Sequence, residues 1–420
     1  MKITVLGAGI TGITSAYALA SRGHEVEVIE RNDAPAKETS YSNGSQLSYS
    51  HAEPWANPKA LVQAVKWLFK EDAPLVLRPR ADWRMIKWGL QFITNCTDER
   101  ARINCERMMR IGLYSKEKMT QIRTETNIEF DFGQKGILHV FSNEASFDGA
   151  IKQAEFQESL GCKELVYTPK QCLQQEPALA HANRNIIGGL YSPIDETGDI
   201  HMFCTHLAQY CAEHLNVTFS YNTDVTALNK DGYHLKSVST SSGEVTADAY
   251  VICLGPYTPL LCDKIDVKVP IYPMKGYSIT LPAWDGAPTM SVTDAEKKVV
   301  YSRIGERIRA AGTAEFAGYN TDVREPRIQQ IMGSIRDLYP AVDDDNVVKH
   351  MERWACIRPQ TPDGPPLVGK TPCHNLYLNT GHGTLGWTQG AGTAYLLADI
   401  IDNKTPEIKL AGLDLARYRE

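Results

Sequence analysis

The sequence predicts an α/β protein in two parts: an open, mostly parallel sheet assembled from distant stretches of chain, and a separate antiparallel sheet with helices attached. Three observations carry this. "KITVLGAGITGITSAYALASRGHEVEVIER" at the N-terminus reads as strand, glycine turn, helix, strand. "NLYLNTGHGTLGWTQGAGTAYLLADII", from Asn375 to Ile401, repeats strand, glycine turn and helix near the other end. Between Val267 and Asn320, "VPIYPMKGYSITL", "KKVVYSRIG" and "ERIRAAGTAEF" alternate as successive strands separated by turn residues.

In the first unit, Lys2 to Leu6 is an apolar run of buried-strand type. Ala16, Leu19 and Ala20 then recur at helical spacing until Gly23, and Glu25 to Ile29 alternates into a second strand. Gly7, Gly9 and Gly12 form GxGxxG inside this unit, and Glu30 closes the second strand. Gly7 permits the tight turn, Gly9 lets the backbone approach a pyrophosphate, and Gly12 lets the helix pack against the strand. The helix start offers free N–H groups to phosphates, and Glu30 is placed to accept from ribose hydroxyls. The unit therefore predicts a dinucleotide cofactor, with FAD and NAD both open at this point.

The next stretch, "ETSYSNGSQLSYSH", is a polar loop where a repeating βαβ pattern would continue, and it could lie along a diphosphate and a flavin ring. From Trp55 to Trp88 the chain holds four of its seven tryptophans, and Lys59 to Trp88 carries seven Lys or Arg against three Asp or Glu. Ala60, Leu61, Ala64, Val65, Leu68 and Phe69 make one helical face, and Trp83, Ile86, Leu90 and Ile93 make a second. Two amphipathic helices follow, fit either to lie on a membrane surface or to pack on the protein's own second domain.

Further on, "GQKGILHVF" predicts a turn and strand, "FDGAIKQAEFQESLG" a helix closed by Gly161, and 201–215 a helix followed by a strand from Val217 to Tyr221. "ADAYVICLGPYTPLL" brings a short apolar strand to Gly255, and ligands lie at such strand ends in open α/β sheets.

The formal charge of −6 and a pI near 6.0 argue against a general nucleic-acid binder. Ten singly scattered cysteines and the absence of CxxC or HExxH signal no metal site, and reduced thiols predict a cytoplasmic chain. No basic leader precedes the first strand, and no apolar run reaches ~18 residues, so any membrane contact is expected from the surface.

"IRPQTPDGPPLVGKTPCHNLYLNTGHGTLGWTQGAGTAYLL", taken with GxGxxG, "ETSYSN", "YPMKGYS", "RIRAAG" and "GLYSPIDETGD", resembles the D-amino-acid dehydrogenase small subunits, within the D-amino-acid oxidase and glycine oxidase superfamily. The likeness spans essentially the whole chain. It implies a discontinuous Rossmann-like FAD-binding domain over 1–50, 146–264 and 346–420. A substrate domain over 51–145 and 265–345 carries the basic Trp-rich insertion 55–93. It also implies oxidation of a D-amino acid to an imino acid, hydrolysed to 2-oxo acid and ammonia. The likeness further implies that electrons pass to quinone in the respiratory chain and that the protein sits peripherally on the inner face of the cytoplasmic membrane, as members of the family do. Another flavin-dependent amine oxidation, or a non-catalytic dinucleotide module, is the alternative.

Carried over residue by residue, Gly7, Ala8, Gly9, Ile10 and Gly12 match the cofactor fingerprint, with Glu30 and Arg31 after it. Ser40, Asn43 and Gln46 match the flavin-side loop, although the family often reads Asn-x-Gly-Gln where this chain has Asn43, Gly44, Ser45, Gln46. Val225 and Gly255 are expected beside the cofactor. Gly381, Gly383, Thr384, Leu385, Gly386 and Thr388 are expected to point amides at the ring and stabilise negative charge on the reduced flavin. Arg358 is the expected carboxylate anchor, since a planar guanidinium grips a carboxylate with two hydrogen bonds. Arg309 is second choice, Tyr277 offers a hydroxyl, and His382 invites assignment as a base. No metal is called for.

Overall fold

Two sheets organise the chain. The computed structural model describes residues 1–67, with side chains to residue 63, and residues 73–78 and 80–418. Leu68 and Phe69 of the first amphipathic face lie outside the described residues, as do the side chains of Ala64 and Val65.

The first sheet has six strands in the order Leu367–Lys370, Leu376–Thr380, Ala249–Ile252, Lys2–Leu6, Glu25–Ile29, Thr218–Ser220. All neighbours are parallel except the first pair. Val5 sits between Val28 and Val251, so the apolar runs read as buried strands register directly with one another. Helices Ile10–Ala20, Ile200–His214 and Gly386–Ile401 bury their apolar faces in one core with this sheet, joined by Ile111 and Tyr114 of the long helix Asp98–Thr126. Asp199 starts the second of these helices by accepting from the His201 and Met202 amides, satisfying two of the donors that a helix start leaves open.

The second sheet has nine strands. Eight run in the order Glu352–Gln360, Tyr272–Pro282, Arg307–Phe316, Val299–Ile304, Ser291–Asp294, Ile137–Phe141, Gly188–Ser192, Leu165–Tyr167, and Leu75–Leu77 pairs beside Arg307–Phe316. It is mainly antiparallel, with parallel pairings at Ser291–Asp294 and Leu75–Leu77. Helix Glu325–Leu338 packs against it through Ile328, Ile331, Met332 and Ile335.

The fold class is the predicted one, and several details differ. Glu352–Gln360 lies in the second sheet, so its membership cuts across the expected segment 346–420; its backbone is hydrogen-bonded to Tyr272–Pro282, and chain position does not decide that. Leu165–Tyr167 and Gly188–Ser192, inside 146–264, also pair there. The C-terminal helix begins at Gly386, inside the glycine-rich stretch itself. A three-stranded sheet over Val225–Asp231, His234–Thr240 and Gly243–Val245 was not anticipated, although Asp231-Gly232 is a hairpin signal.

The C-terminal helix reaches its neighbours through small residues. Thr14 Oγ1 donates to the Gly390 carbonyl at 3.1 Å, and Ser115 Oγ accepts from the Gly392 amide at 3.0 Å. A Cβ at Gly392 would fall 2.8 Å from the Ser115 Cα, which is backbone and has no free rotor to move aside. Gly392→Ala is therefore expected to destabilise by roughly 1–3 kcal/mol despite the better helix propensity of alanine. Thermal unfolding checks this, and an unchanged or higher Tm would show that the helices have room to part.

Candidate active site

Both glycine segments open onto one cavity of about 1560 Å³, larger than the ~300–1,000 Å³ of an ordinary small-molecule site. Gly7, Gly9 and Ile10 line it at the start of helix Ile10–Ala20, and Glu30 and Arg31 follow at the end of the second strand. Ser40, Asn43 and Gln46 line it from the polar loop, and Val225 and Gly255 from the sheet end. Gly383, Thr384, Leu385, Gly386 and Thr388 line it from the C-terminal turn. Arg358, Tyr277 and His382 complete the predicted set that the fold brings together.

Four predicted residues do not line it. Ala8 is buried and hands its amide to Glu30 Oε2 at 2.8 Å. Gly12 packs on the Gly7 carbonyl, where any Cβ would collide. Gly381 packs on Thr361 and Ile271. Arg309 is the clearest correction: it is buried in a polar cluster, with Nε donating to Thr280 Oγ1 at 3.1 Å and Nη2 3.9 Å from Asp199 Oδ2. Its Nη1 has no hydrogen-bond partner among the described residues, but the buried side chain lies outside the lining of the cavity that holds Arg358.

Several side chains expected to face the cofactor instead hold the loop. Ser40 Oγ accepts from the Ile10 amide at 3.0 Å, Asn43 Oδ1 from the Ser45 amide at 2.8 Å, and Thr388 Oγ1 from the Ser48 amide at 3.0 Å. Ser45 takes the left-handed conformation, φ 57°, in place of the glycine expected there. Glu30 Oε1 accepts twice from Asn32, and Oε2 once from Ala8. A carboxylate has about four acceptor positions, so one remains on Oε2 for a hydroxyl. Arg31 is paired with Glu38 and lies over the Tyr257 ring at 4.2 Å.

Of the catalytic candidates, Tyr277 is already engaged: its hydroxyl donates to Glu315 Oε2 at 2.6 Å, and burial followed by this carboxylate raises its pKa well above the usual value. His382 is buried, with Nε2 3.0 Å from Thr393 Oγ1, and burial pushes its pKa down to about 3, so it is a neutral imidazole. Arg358 differs from both. It forms no ion pair with any described carboxylate, and burial lowers its pKa, offset in part by Cys356. The guanidinium lies over Gly276 on the neighbouring strand, where any Cβ would overlap it.

Other polar groups in the cavity were not foreseen. Gln360 is buried two residues past Arg358, and its Oε1 has no hydrogen-bond partner among the described residues. His51 and His139 stack with centroids 6.0 Å apart, and His139 Nε2 has no hydrogen-bond partner among the described residues. Burial, then the His51 ring and Lys298, push His139 down to about 3. The one available signal was His139 interrupting the apolar strand "GILHVF".

The description FAD dependent oxidoreductase belongs to a family model that matches residues 2–400. The chain belongs to the FAD dependent oxidoreductase family. It is 43% identical to a D-amino acid dehydrogenase of Chromohalobacter salexigens, across the full length of both chains. It is 44% identical to one of Paramagnetospirillum magneticum, over all of this chain and 99% of that one. Among solved structures it resembles glycine oxidase from Geobacillus kaustophilus (TM-score 0.76, 21% identity, 99% and 98% of the two chains). It also resembles L-proline dehydrogenase from P. horikoshii (TM-score 0.76, 19% identity, 100% and 97%). At these identities the structural likeness establishes the fold.

FAD is the cofactor of this oxidoreductase family, and the residues present fit it. A glycine turn at a helix start, an acid with one acceptor position left, and the unpaired buried atoms His382 Nδ1 and Gln360 Oε1 converge on one cavity.

Glu315 anchors the cavity wall through Tyr277. Burial raises its pKa, but hydrogen bonds from Arg78, Tyr277 and Arg324 outweigh that and bring it from 4.5 down to about 2. Its charged form therefore stabilises the fold fully above the unfolded value, and that contribution is lost as pH falls from about 4.5 toward 2. Glu315→Gln is expected to be less stable near neutral pH, with the gap to the parent narrowing by about pH 3. Denaturation at both pH values checks this, and an equal gap would mean that the charge contributes nothing.

Proposed function

We propose that this oxidoreductase carries out oxidative deamination of D-amino acids, with the parallel-sheet part holding FAD and the nine-stranded sheet presenting the substrate. The observation that carries the reading is Arg358: a guanidinium without an ion-pair partner among the described residues, lying in the cavity that both glycine segments share. The full-length relatives named D-amino acid dehydrogenase support the same substrate class.

The substrate carboxylate takes two hydrogen bonds from Arg358, restoring the favourable setting for the charge that burial opposes. Gly276 gives the guanidinium its place, so substrate orientation depends on a residue that touches no substrate. FAD held by the two glycine turns would supply the hydride-accepting chemistry for a substrate so oriented. Tyr277 and His382 take no proton: the first is engaged by Glu315 and the second is a neutral imidazole already paired at Nε2. The amine must accordingly react in its neutral form, and water hydrolyses the imino acid to 2-oxo acid and ammonia. Orientation and exclusion of water are the protein's contribution.

Electrons then pass to quinone at a membrane surface. Among the described residues no helix is long and apolar enough to cross a membrane. Helix Trp83–Asn95, however, leaves one apolar stripe open, with Trp83 71%, Ile86 49%, Leu90 59% and Ile93 53% exposed. Arg84 and Lys87 flank it. An exposed tryptophan, aliphatic residues along one stripe and neighbouring cations suit a helix lying in the headgroup region.

Purified holoenzyme should be yellow and bleach anaerobically with D-alanine; failure with every D-amino acid tried would sink the reading. Arg358→Ala should retain FAD and raise KM by roughly thirtyfold or more, the equivalent of ~2–3 kcal/mol for a charge-assisted pair. Gly276→Ala should act in the same direction by displacing the guanidinium. Unchanged kinetics in both would remove Arg358 from the site. In flotation with vesicles containing anionic lipid, the parent should co-migrate and Trp83→Ser/Leu90→Asp should stay behind; equal behaviour would place the stripe elsewhere than on a membrane.

A further inference from the structure

Two hydrogen-bond acceptors stand bare beside the carboxylate anchor. Gln360 follows Arg358 by two residues on strand Glu352–Gln360, so the two side chains share one face of the strand, roughly 7 Å apart at the backbone. His382 pairs with Gln360 across an antiparallel bridge, which puts its side chain on that face as well. All three line the cavity, and Gln360 and His382 are buried there.

Their hydrogen bonds decide which atoms are left. Gln360 Nε2 donates to the Thr361 carbonyl at 3.2 Å, so Oε1 is the free end of the amide. It rests against Gly383, where a Cβ would fall 2.5 Å from Oε1. The Thr393 hydroxyl has one hydrogen, which goes to the Gly390 carbonyl at 3.1 Å. Thr393 therefore accepts from His382 Nε2–H at 3.0 Å, and the imidazole keeps a bare lone pair on Nδ1. Neither Gln360 Oε1 nor His382 Nδ1 has a hydrogen-bond partner among the described residues. Buried acceptors are normally satisfied, and an oxidised flavin ring cannot satisfy both of these, since it carries a single N–H among several acceptors.

An α-amino acid matches this arrangement, with acceptors at its carboxylate and donors at its amine. We infer that Gln360 and His382 form the amine end of the substrate site, each accepting one N–H of a neutral primary amine whose carboxylate is held by Arg358. The inference rests on the proposed deamination and narrows its substrate: amines with two N–H groups are favoured over N-alkylated ones. With both hydrogens held, the nitrogen lone pair is free to become the C=N bond as the Cα–H bond breaks and its electron pair leaves as hydride. The nitrogen gains positive charge in that step and keeps both N–H bonds, so both contacts strengthen toward the transition state. Gln360 thus acts on kcat as well as on KM.

Gln360→Met keeps the length of the side chain and replaces the amide oxygen by a weakly accepting thioether. For D-alanine, kcat/KM should fall roughly tenfold or more, with kcat carrying part of the loss. N-methyl-D-alanine has one N–H to give, and His382 still accepts it, so its kcat/KM should change little and the preference for the primary amine should shrink by a similar factor. Propionate, which is alanine without the amine, should perturb the absorption of the bound flavin with the same Kd in parent and variant. A preference unchanged by the substitution, or propionate binding weakened along with D-alanine turnover, would overturn the inference and leave Gln360 a mere support of the wall. Should the parent fail to bleach with D-alanine, the deamination reading fails. The Kd of D-alanine relative to that of propionate, with and without Gln360, then decides the amine site. Gln360→Leu serves if the methionine variant does not fold.

Discussion

The close approach of helices Ile10–Ala20 and Gly386–Ile401 is the constraint on which the rest depends. They come from opposite ends of the chain, yet Thr14 Oγ1 reaches the Gly390 carbonyl, and Asn379 Nδ2, on the strand before the second helix, reaches Ser15 Oγ. Small residues at the crossing remove the side-chain layer that would otherwise hold the helices apart. Both helix starts therefore open on one space, and the two glycine turns act as walls of a single cavity. The loop between them is tied in through Ser40 and Thr388, whose hydroxyls accept backbone amides of the glycine turn and of the loop itself.

Charge is distributed around that cavity by a simple rule. Groups that stabilise the scaffold are paired within the protein: Arg309 with Thr280 near Asp199, Tyr277 with Glu315, Arg31 with Glu38. Arg358 has no such ion pair, and the structure gives it space by leaving residue 276 without a side chain. A half-buried cation that faces the cavity without an ion pair to a described carboxylate suits the proposed carboxylate binding in a way that Arg309, buried beside Asp199 and outside the cavity, does not. His382 and His139 illustrate the reverse case, imidazoles that burial keeps neutral.

The tryptophan-rich helices divide their apolar residues between two directions. Trp88 and Phe92 turn inward toward the nine-stranded sheet, while Trp83 and Leu90 face outward. Of the two readings left open by the helical pattern, packing on the protein's own sheet holds for Trp88 and Phe92, and the outward residues are those that the proposed membrane contact would use. A helix with apolar residues over more than one stripe can serve both a core and a surface.

The sequence alone determined the elements whose signals are local. GxGxxG between two strands, Glu30 after the second, and the strand–glycine–helix unit near the C-terminus were legible because turn geometry and helix periodicity are properties of neighbouring residues. Only the tertiary structure decided which of the cations faces the cavity. Arg358 and Arg309 look alike in sequence, and the difference between them lies in Thr280, Asp199 and Gly276, which the sheet brings close from strands and helices far along the chain. Strand Glu352–Gln360 joined the second sheet for the same reason: pairing is set by long-range backbone hydrogen bonds, and no local pattern records the partner.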